Sequence, residues 1–402
     1  MDNVVTYVPP IVQKHSPSVL SAEQCVHTHQ GCLLFFDIRR FTKLMQGTFA
    51  TKHHVIEMQN HFFNFTTSCV SELGGEFVAW DGDGAWFLFT GEDMRNRACE
   101  AATTATAGYT QSAADALGIQ GLEIAAGIAT GTFHLILLKH QEQGAWFIAG
   151  PAVREALRAE AAAEPGEVKE AALAHAKPVT ISPKGLRPQP PLHTSAGGAS
   201  ASSSGLPSLG IFLHRALREG DVGGQGTPWI GKPESTISIF LNVVGLDVQD
   251  LQGTPAARQQ LDNLARAFKV FVKTGGAISG MIPYTEGNGH KMFVHYPAAQ
   301  EGAPWARALE EILSENAAAY RIGATRSDCQ MGVIGNSARR FWCMTGWGLV
   351  RAHHLMSLSD SGEVLCGNEL EHQSTTLTKR MKGELLLKSC QVPEKVWSWS
   401  RQ

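Results

Sequence analysis

Gly74-Gly75-Glu76-Phe77-Val78-Ala79-Trp80-Asp81-Gly82-Asp83-Gly84-Ala85-Trp86-Phe87-Leu88-Phe89 reads as two short apolar strands joined by the turn Asp81-Gly82-Asp83-Gly84. Aspartate and glycine alternating in a turn are a hairpin signal, because glycine takes positive φ at little steric cost. Two carboxylates at such a tip also suit a hard cation, which prefers oxygen ligands. Upstream, Leu33-Leu34-Phe35-Phe36 runs straight into Asp37, so an apolar strand delivers a carboxylate to its C-terminal edge. If the two strands are neighbours, Asp37 and Asp83 face one another. Paired carboxylates can hold divalent ions and align a hydroxyl with a phosphoryl centre. The same residues also fit a hairpin turn and a strand-end aspartate that caps backbone amides.

Around this stretch, Val55, Met58, Phe62, Phe65, Cys69 and Leu73 recur at helical spacing over 52–73. An alanine-rich helix is expected at 94–117, then a strand at 122–129 that turns at Gly131 into another at 132–138. A strand at 145–149, a helix from Pro151 to Ala163 and a short strand at 178–181 complete the unit. The order strand, helix, hairpin, helix, strand suits a ferredoxin-like α/β sandwich. Residues 1–30 form a leader cut by Pro9-Pro10 and Pro17, 31–182 the first domain, and 183–232 a linker rich in proline, glycine and serine at 183–208. The second domain occupies 233–402.

That second domain repeats the landmarks of the first. Strand 237–242 matches 32–37 and puts Asn242 where Asp37 stood, and a helix at 255–274 ends at Gly275-Gly276. Glu286-Gly287-Asn288-Gly289 repeats the DGDG turn with asparagine in place of Asp83. An alanine-rich helix at 304–319 and a strand at 321–325 follow. An asparagine pair cannot neutralise two metal charges, so the repeat allows one metal site. A net charge of −3 gives no electrostatic reason to expect nucleic acid or an anionic membrane. No apolar run approaches the roughly 18–20 residues of a spanning helix, and no secretory signal is visible. The eight cysteines contain no CxxC and suit reduced thiols of a cytoplasmic protein more readily than disulfides.

Several motifs then combine. FFDIRRFTKL resembles the FxDIxGFTxL opening of class III nucleotidyl cyclase domains, and GGEFVAWDGDGAWFLF their GGxxxKxxGDxxxxxF. GIATGTF resembles GIxTGxV, and IAGPAVREALRAE resembles xxGxxVNxAxRLE. GATRSDCQMGVIGNSARRFWCMTG follows GxxxGxxxxGxxGxxxRxxYxxxG in the second half. The tandem layout is most similar to soluble adenylyl cyclase.

The resemblance implies two domains paired about a pseudo-twofold axis, with a site in the groove between them. It implies Mg²⁺ or Mn²⁺ at Asp37 and Asp83, ATP as ligand or substrate, and Ile38 lending its backbone to ion and phosphate. The complementary positions depart from the family. Gly280 replaces the base-reading lysine, Cys343 its polar partner, Val350 the ribose-orienting asparagine and His354 the phosphate-binding arginine. In the mirror-image groove Arg158 keeps the arginine, while Ala79, Phe147 and Arg154 replace the rest. Arg154 and Arg158 could hold a small anion there, or simply be solvated. Two functions follow. One is a degenerate cyclase module kept for structure or regulation, which analogy with the family sets within a larger ciliary or flagellar assembly. The other is an active adenylyl cyclase making cyclic AMP and pyrophosphate.

Overall fold

The computed structural model describes residues 4–401 apart from 21, 42–43, 45–51, 172–178, 182–208, 215–216, 218–228, 231–232, 246–253, 285–288, 371–375 and 388–392. The linker at 183–208 and most of the expected Glu286-Gly287-Asn288 turn therefore lie outside the described residues.

The chain opens with α1 (Val4–Tyr7) and α2 (Pro10–Leu20), then β1 (Gln24–Ile38) and α3 (Lys52–Glu72). Next come β2 (Glu76–Trp80), β3 (Gly84–Phe89), α4 (Met94–Leu117), β4 (Ile124–His140), β5 (Gln143–Ala149), α5 (Pro151–Ala161), β6 (Val168–Glu170) and β7 (Val179–Ile181). The sheet runs β2-β3-β1-β4-β6-β7, with β5 folded back on β4. Both faces of β1 are covered, which is why its apolar residues run unbroken instead of alternating with polar ones. Cys32, Leu34, Phe36 and Ile38 point to the core under α3 and α4. Leu33 and Phe35 point to the opposite layer, with Val8, Val12 and Val19 of the N-terminal segment and Ala152 and Ala156 of α5.

Two local expectations fail here. Pro17 does not cut the leader: α2 runs through it, and the Ser16 hydroxyl donates to the Gln13 carbonyl at 2.9 Å, the acceptor that a proline nitrogen cannot serve. Nor does the chain turn at Gly131. β4 continues through it, because Gly131 pairs with Gly31 in a ladder joining β1 and β4 along nearly their whole length. That pairing is a tertiary fact with no local signature.

After β8 (Trp229–Ile230), the same order returns in β9 (Glu234–Val244), α6 (Pro255–Lys273), β10 (Ala277–Tyr284), β11 (Gly289–Pro297), α7 (Pro304–Asn316), β12 (Tyr320–Gly335), β13 (Arg340–Thr345), α8 (Trp347–Leu358) and β14 (Glu363–Gly367). β15 (Leu377–Leu385) and β16 (Glu394–Arg401) extend the second sheet, whose order is β10-β11-β9-β12-β14-β16-β15. Glycine fixes the helix-to-strand packing identically in both units. A Cβ on Gly127 would lie 2.1 Å from the Ala156 carbonyl oxygen, and one on Gly323 would lie 2.0 Å from that of Ala352. Only glycine lets α5 and α8 press so close.

The units exchange arms. Ile136, Leu138, Ala145 and Phe147 of the β4–β5 hairpin sit in the core of the second unit. Ile334 and Cys343 of the β12–β13 hairpin sit in the core of the first, where Phe341 packs edge-on against Phe77. Asn60 and Asn64 of α3 tie the second arm down, accepting from the Gly335 amide at 2.8 Å and the Asn336 amide group at 2.9 Å. The architecture is a tandem pair of α+β units with curled antiparallel sheets.

Candidate functional site

The acid pair is assembled by the hairpin tip. The Asp81 amide donates to the Gly84 carbonyl at 2.8 Å, and Gly82 takes φ +73°, closing the turn. Gly84 pairs with Asp37 across the ladder, and a Cβ on it would meet the Phe35 ring at 2.5 Å. The Ile38 amide donates to the Asp83 carbonyl at 3.0 Å, so the two aspartates share one corner of the sheet. Gln59 of α3 donates to the Gly82 carbonyl at 2.6 Å and clamps the tip from behind.

Two further carboxylates and two cations surround this corner. Arg39 reaches the Glu160 carboxylate at 2.7 Å and Asp37 at 3.7 Å, and donates to the carbonyls of Glu160 and Ala163 at the end of α5. From the second unit, Lys291 pairs with Asp81 at 3.3 Å, both side chains largely buried. Burial is the main cause that raises the proton affinity of every acid here. Asp37 is pushed well above the usual carboxylate range by burial, Asp83 and Glu160, against the pull of Arg39. Burial and then Asp81 push Asp83 up to about 7, against Lys291. Glu160 and Asp81 are raised for the same reason, opposed by Arg39 and Lys291 respectively. The corner carries more negative charge than its own cations relieve.

Strand registers show which residues of the two units are equivalent. Ala79 pairs with Trp86 and Gly280 with Phe293, each just after an irregularity in the ladder, so the two are equivalent. Phe147 and Cys343 occupy matching places on β5 and β13, opposite Ile136 and Gly332. The matched contacts of Gly127 and Gly323 then make Val350 and His354 the counterparts of Arg154 and Arg158.

One alignment is corrected. Asp37 stands opposite Gly84, but Asn242 stands opposite Lys291, two residues beyond the glycine of the repeated turn. His290, rather than an asparagine, therefore holds the place of Asp83. The second hairpin, whose residues 276–286 run four longer than 75–81 in the sequence, sets the counterpart apart from the equally spaced Asn288.

Gly280 lines a cavity of about 80 Å³ between the units, together with Ala79, Trp80, Trp146, His214 and Trp342. Cys343 is packed in the interface core, where burial pushes its thiol up to about 12. Val350 is half-buried and His354 buried on α8. Glycine, cysteine and valine supply no cation at three of these four places. Arg154 and Arg158 both meet the Glu155 carboxylate, at 3.3 and 3.0 Å. In the mirror groove the Asn242 amide donates to the His290 carbonyl, and the His290 ring packs on Phe147 with its Nε2 3.1 Å from the Ile148 carbonyl oxygen.

From the sequence Asp81 reads only as one of two tip carboxylates, and Arg39, Glu160 and Lys291 are not singled out as site residues. Glu160 closes the motif that ends α5, and Arg39 adjoins the acid, so both could have been found. Lys291 could not, because its place depends on the length of the second hairpin. Arg40 stands where the FxDIxGFTxL pattern has glycine, and it takes φ +63°. Among the described residues, no three His, Cys, Asp or Glu side chains converge as ligands of one ion.

No family model matches the sequence, and no curated protein does. Among solved structures, a class III adenylyl cyclase-like ATP-binding protein from Pseudomonas aeruginosa is similar over 86% of this chain and 84% of its own, at 12% identity and a TM-score of 0.56. An adenylyl cyclase from the same organism is similar over 42% of this chain and 96% of its own, at 18% identity and a TM-score of 0.33. The guanylate cyclase domain of a Catenaria anguillulae protein, solved with GTP, is similar over 43% of this chain and 100% of its own, at 13% identity and a TM-score of 0.34. The first likeness shows that this chain has a class III cyclase-like fold over most of its length. No helix among the described residues is long and apolar enough to cross a membrane.

Proposed function

We propose that this protein binds a nucleoside triphosphate with a divalent cation at Asp37 and Asp83 and does not turn it over, acting as a structural or regulatory module. The observation that carries the reading is the asymmetry of the groove. Asp37 and Asp83 share one corner, whereas the positions that the resemblance assigns to base, ribose and phosphate carry glycine, a buried thiol, valine and a buried imidazole.

The donor set suits a hard ion. Asp37 and Asp83 offer carboxylate oxygens on one corner, and both are raised first by burial and then by neighbouring carboxylates, the part that a cation would offset. Mg²⁺ or Mn²⁺ would supply that charge and neutralise phosphate oxygens when bound. Asp37 and Asp83 would hold it, with the Ile38 main chain beside the phosphates. ATP is the nucleotide favoured, since the P. aeruginosa protein of similar fold is described as ATP-binding. Turnover is a different demand. Each missing group that stabilises transition-state charge costs ~2.7–4 kcal/mol, and two are missing at Val350 and His354.

Purified protein incubated with ATP and Mn²⁺ tests both parts. The expected result is a raised melting temperature, lost in Asp37→Ala and Asp83→Ala, with no cyclic AMP. Cyclic AMP that disappears in Asp37→Ala would overturn the loss of turnover, and no nucleotide-dependent shift would overturn binding. The resemblance to soluble-type enzymes extends the proposal to a cytoplasmic, ciliary or flagellar assembly, which co-sedimentation with isolated cilia would check.

A further inference from the structure

The acid corner holds three aspartates, yet one of them is engaged from the other unit. Lys291 lies on β11 at the ladder place that Gly84 holds on β3. In the first unit that place admits no side chain, since a Cβ would strike Phe35. In the second it carries a long cation whose ammonium sits 3.3 Å from the Asp81 carboxylate, with the two side chains only 12% and 15% exposed. Arg39 cannot take this role, because its guanidinium is committed to Glu160 and to two carbonyls at the end of α5.

We infer that Lys291 sets the ligand selectivity of the groove: by engaging Asp81 it leaves Asp37 and Asp83 as a two-carboxylate site that takes a divalent cation only together with a nucleotide's phosphates. The inference rests on the proposed metal–nucleotide reading and adds the order in which the parts assemble. Two carboxylates complete only part of a magnesium or manganese shell, and phosphate oxygens supply more of it. A third carboxylate released at the same corner would raise the ligand charge, the variable by which oxygen-donor sites gain cation affinity. Lys291 is thus a positioning residue that acts chiefly through its ion pair with Asp81, its charge also bearing on Asp83. It also makes the site a property of the paired units, because its charge crosses the interface.

The test is Mn²⁺ binding to the full chain, followed by electron paramagnetic resonance with and without a non-hydrolysable ATP analogue. The wild type is expected to bind Mn²⁺ tightly only with the analogue. Lys291→Met should bind Mn²⁺ without it, with affinity raised on the order of tenfold or more. Lys291→Met with Asp81→Asn should return to wild-type behaviour, which a merely structural lysine would not produce. Lys291→Arg keeps the charge and should resemble the wild type, covering the case in which Lys291→Met fails to fold. If the wild type binds Mn²⁺ with the analogue but folded Lys291→Met gains nothing without it, or if Lys291→Arg also gains affinity, the inference is overturned alone. If neither protein binds Mn²⁺ even with the analogue, the metal–nucleotide reading falls and the inference with it.

Discussion

The Ile38 amide donates to the Asp83 carbonyl at 3.0 Å, so the end of β1 and the tip of the β2–β3 hairpin are one rigid corner. This bond places a second carboxylate beside Asp37 without any contribution from its side chain. Substitution of either aspartate should therefore leave the corner intact while changing its charge.

That expectation has a pH signature. Asp83 is raised from 3.8 to about 7, so between those values the folded protein holds a proton that the unfolded chain does not. Its contribution to stability is fully present below about 4 and is lost as pH rises through about 7. Asp83→Asn should remove this slope and raise the melting temperature at pH 8 without ligand. Binding of Mn²⁺ with nucleotide should strengthen as pH rises through 7, when the carboxylate becomes available. Melting curves and calorimetric titrations of wild type and Asp83→Asn at pH 6 and 8 check both statements.

An opposite slope arises in the N-terminal layer. The rings of His15 on α2 and His27 on β1 stack at 4.1 Å, and His29 lies edge-on to His15 at 4.9 Å. Burial, then the two neighbouring imidazoles and Lys14, lower His15 from 6.5 to about 4. His27 is lowered by burial, and His29 by burial, His27, Lys14 and His134. The groups named there are all basic. The unfolded chain binds more protons over this window, so stability is lost as pH falls from about 6.5 toward 4. Acid should loosen α2 from β1 first. Hydrogen exchange over residues 10–20 should rise between pH 6.5 and 4.5, and His15→Gln should blunt the rise.

Much of this arrangement could be read from residue order alone, and the failures share one cause. The DGDG turn, the strand ending in Asp37 and the repeated landmarks are local, and the structure puts them together. Gly280 and Cys343 hold the ladder places in the second unit that Ala79 and Phe147 hold in the first, because the flanking strands keep a common register. The unbroken β4 and the role of Lys291 depend on which strand lies alongside, and one residue of register decides which side chain faces the groove. His290 in the place of Asp83 is the plainest case. A hairpin longer by a few residues moved the counterpart two positions past Asn288, the residue that equal spacing selects.

Thiol chemistry offers an independent check on the exchanged arms. Cys343 belongs to the second unit but is buried in the core of the first, and burial pushes its thiol up to about 12. A thiol is reactive as its thiolate, so Cys343 should resist alkylation in the native protein. Cys69 and Cys366, also pushed up to about 12 by burial, should behave alike. Mass spectrometry after brief alkylation at pH 8 should find these three unmodified until the interface is opened by denaturant. Early labelling of Cys343 with Cys366 still protected would mean that the arms separate before the second unit unfolds.

The two equivalent glycines allow a comparison within one molecule. At Gly127 a methyl group would sit 2.1 Å from the Ala156 carbonyl oxygen and 2.4 Å from the Glu160 amide nitrogen, so α5 must move away from β4. Gly323→Ala meets the same obstacle at Ala352 and Met356 of α8. Overpacking of this kind costs ~1–3 kcal/mol, and each variant should melt several degrees lower than wild type. Their effects on the site should differ. Glu160 holds Arg39 at 2.7 Å, and Arg39 reaches Asp37, so Gly127→Ala should shift the acid corner and weaken cation–nucleotide binding beyond the loss of stability. Gly323→Ala displaces only a helix whose Val350 and His354 carry no charge essential to binding, and affinity should stay within about twofold of wild type. Calorimetric titration of both variants at a temperature where each is folded distinguishes the outcomes. Equal losses of affinity would show that the contact from Glu160 through Arg39 to Asp37 does not set the corner's geometry.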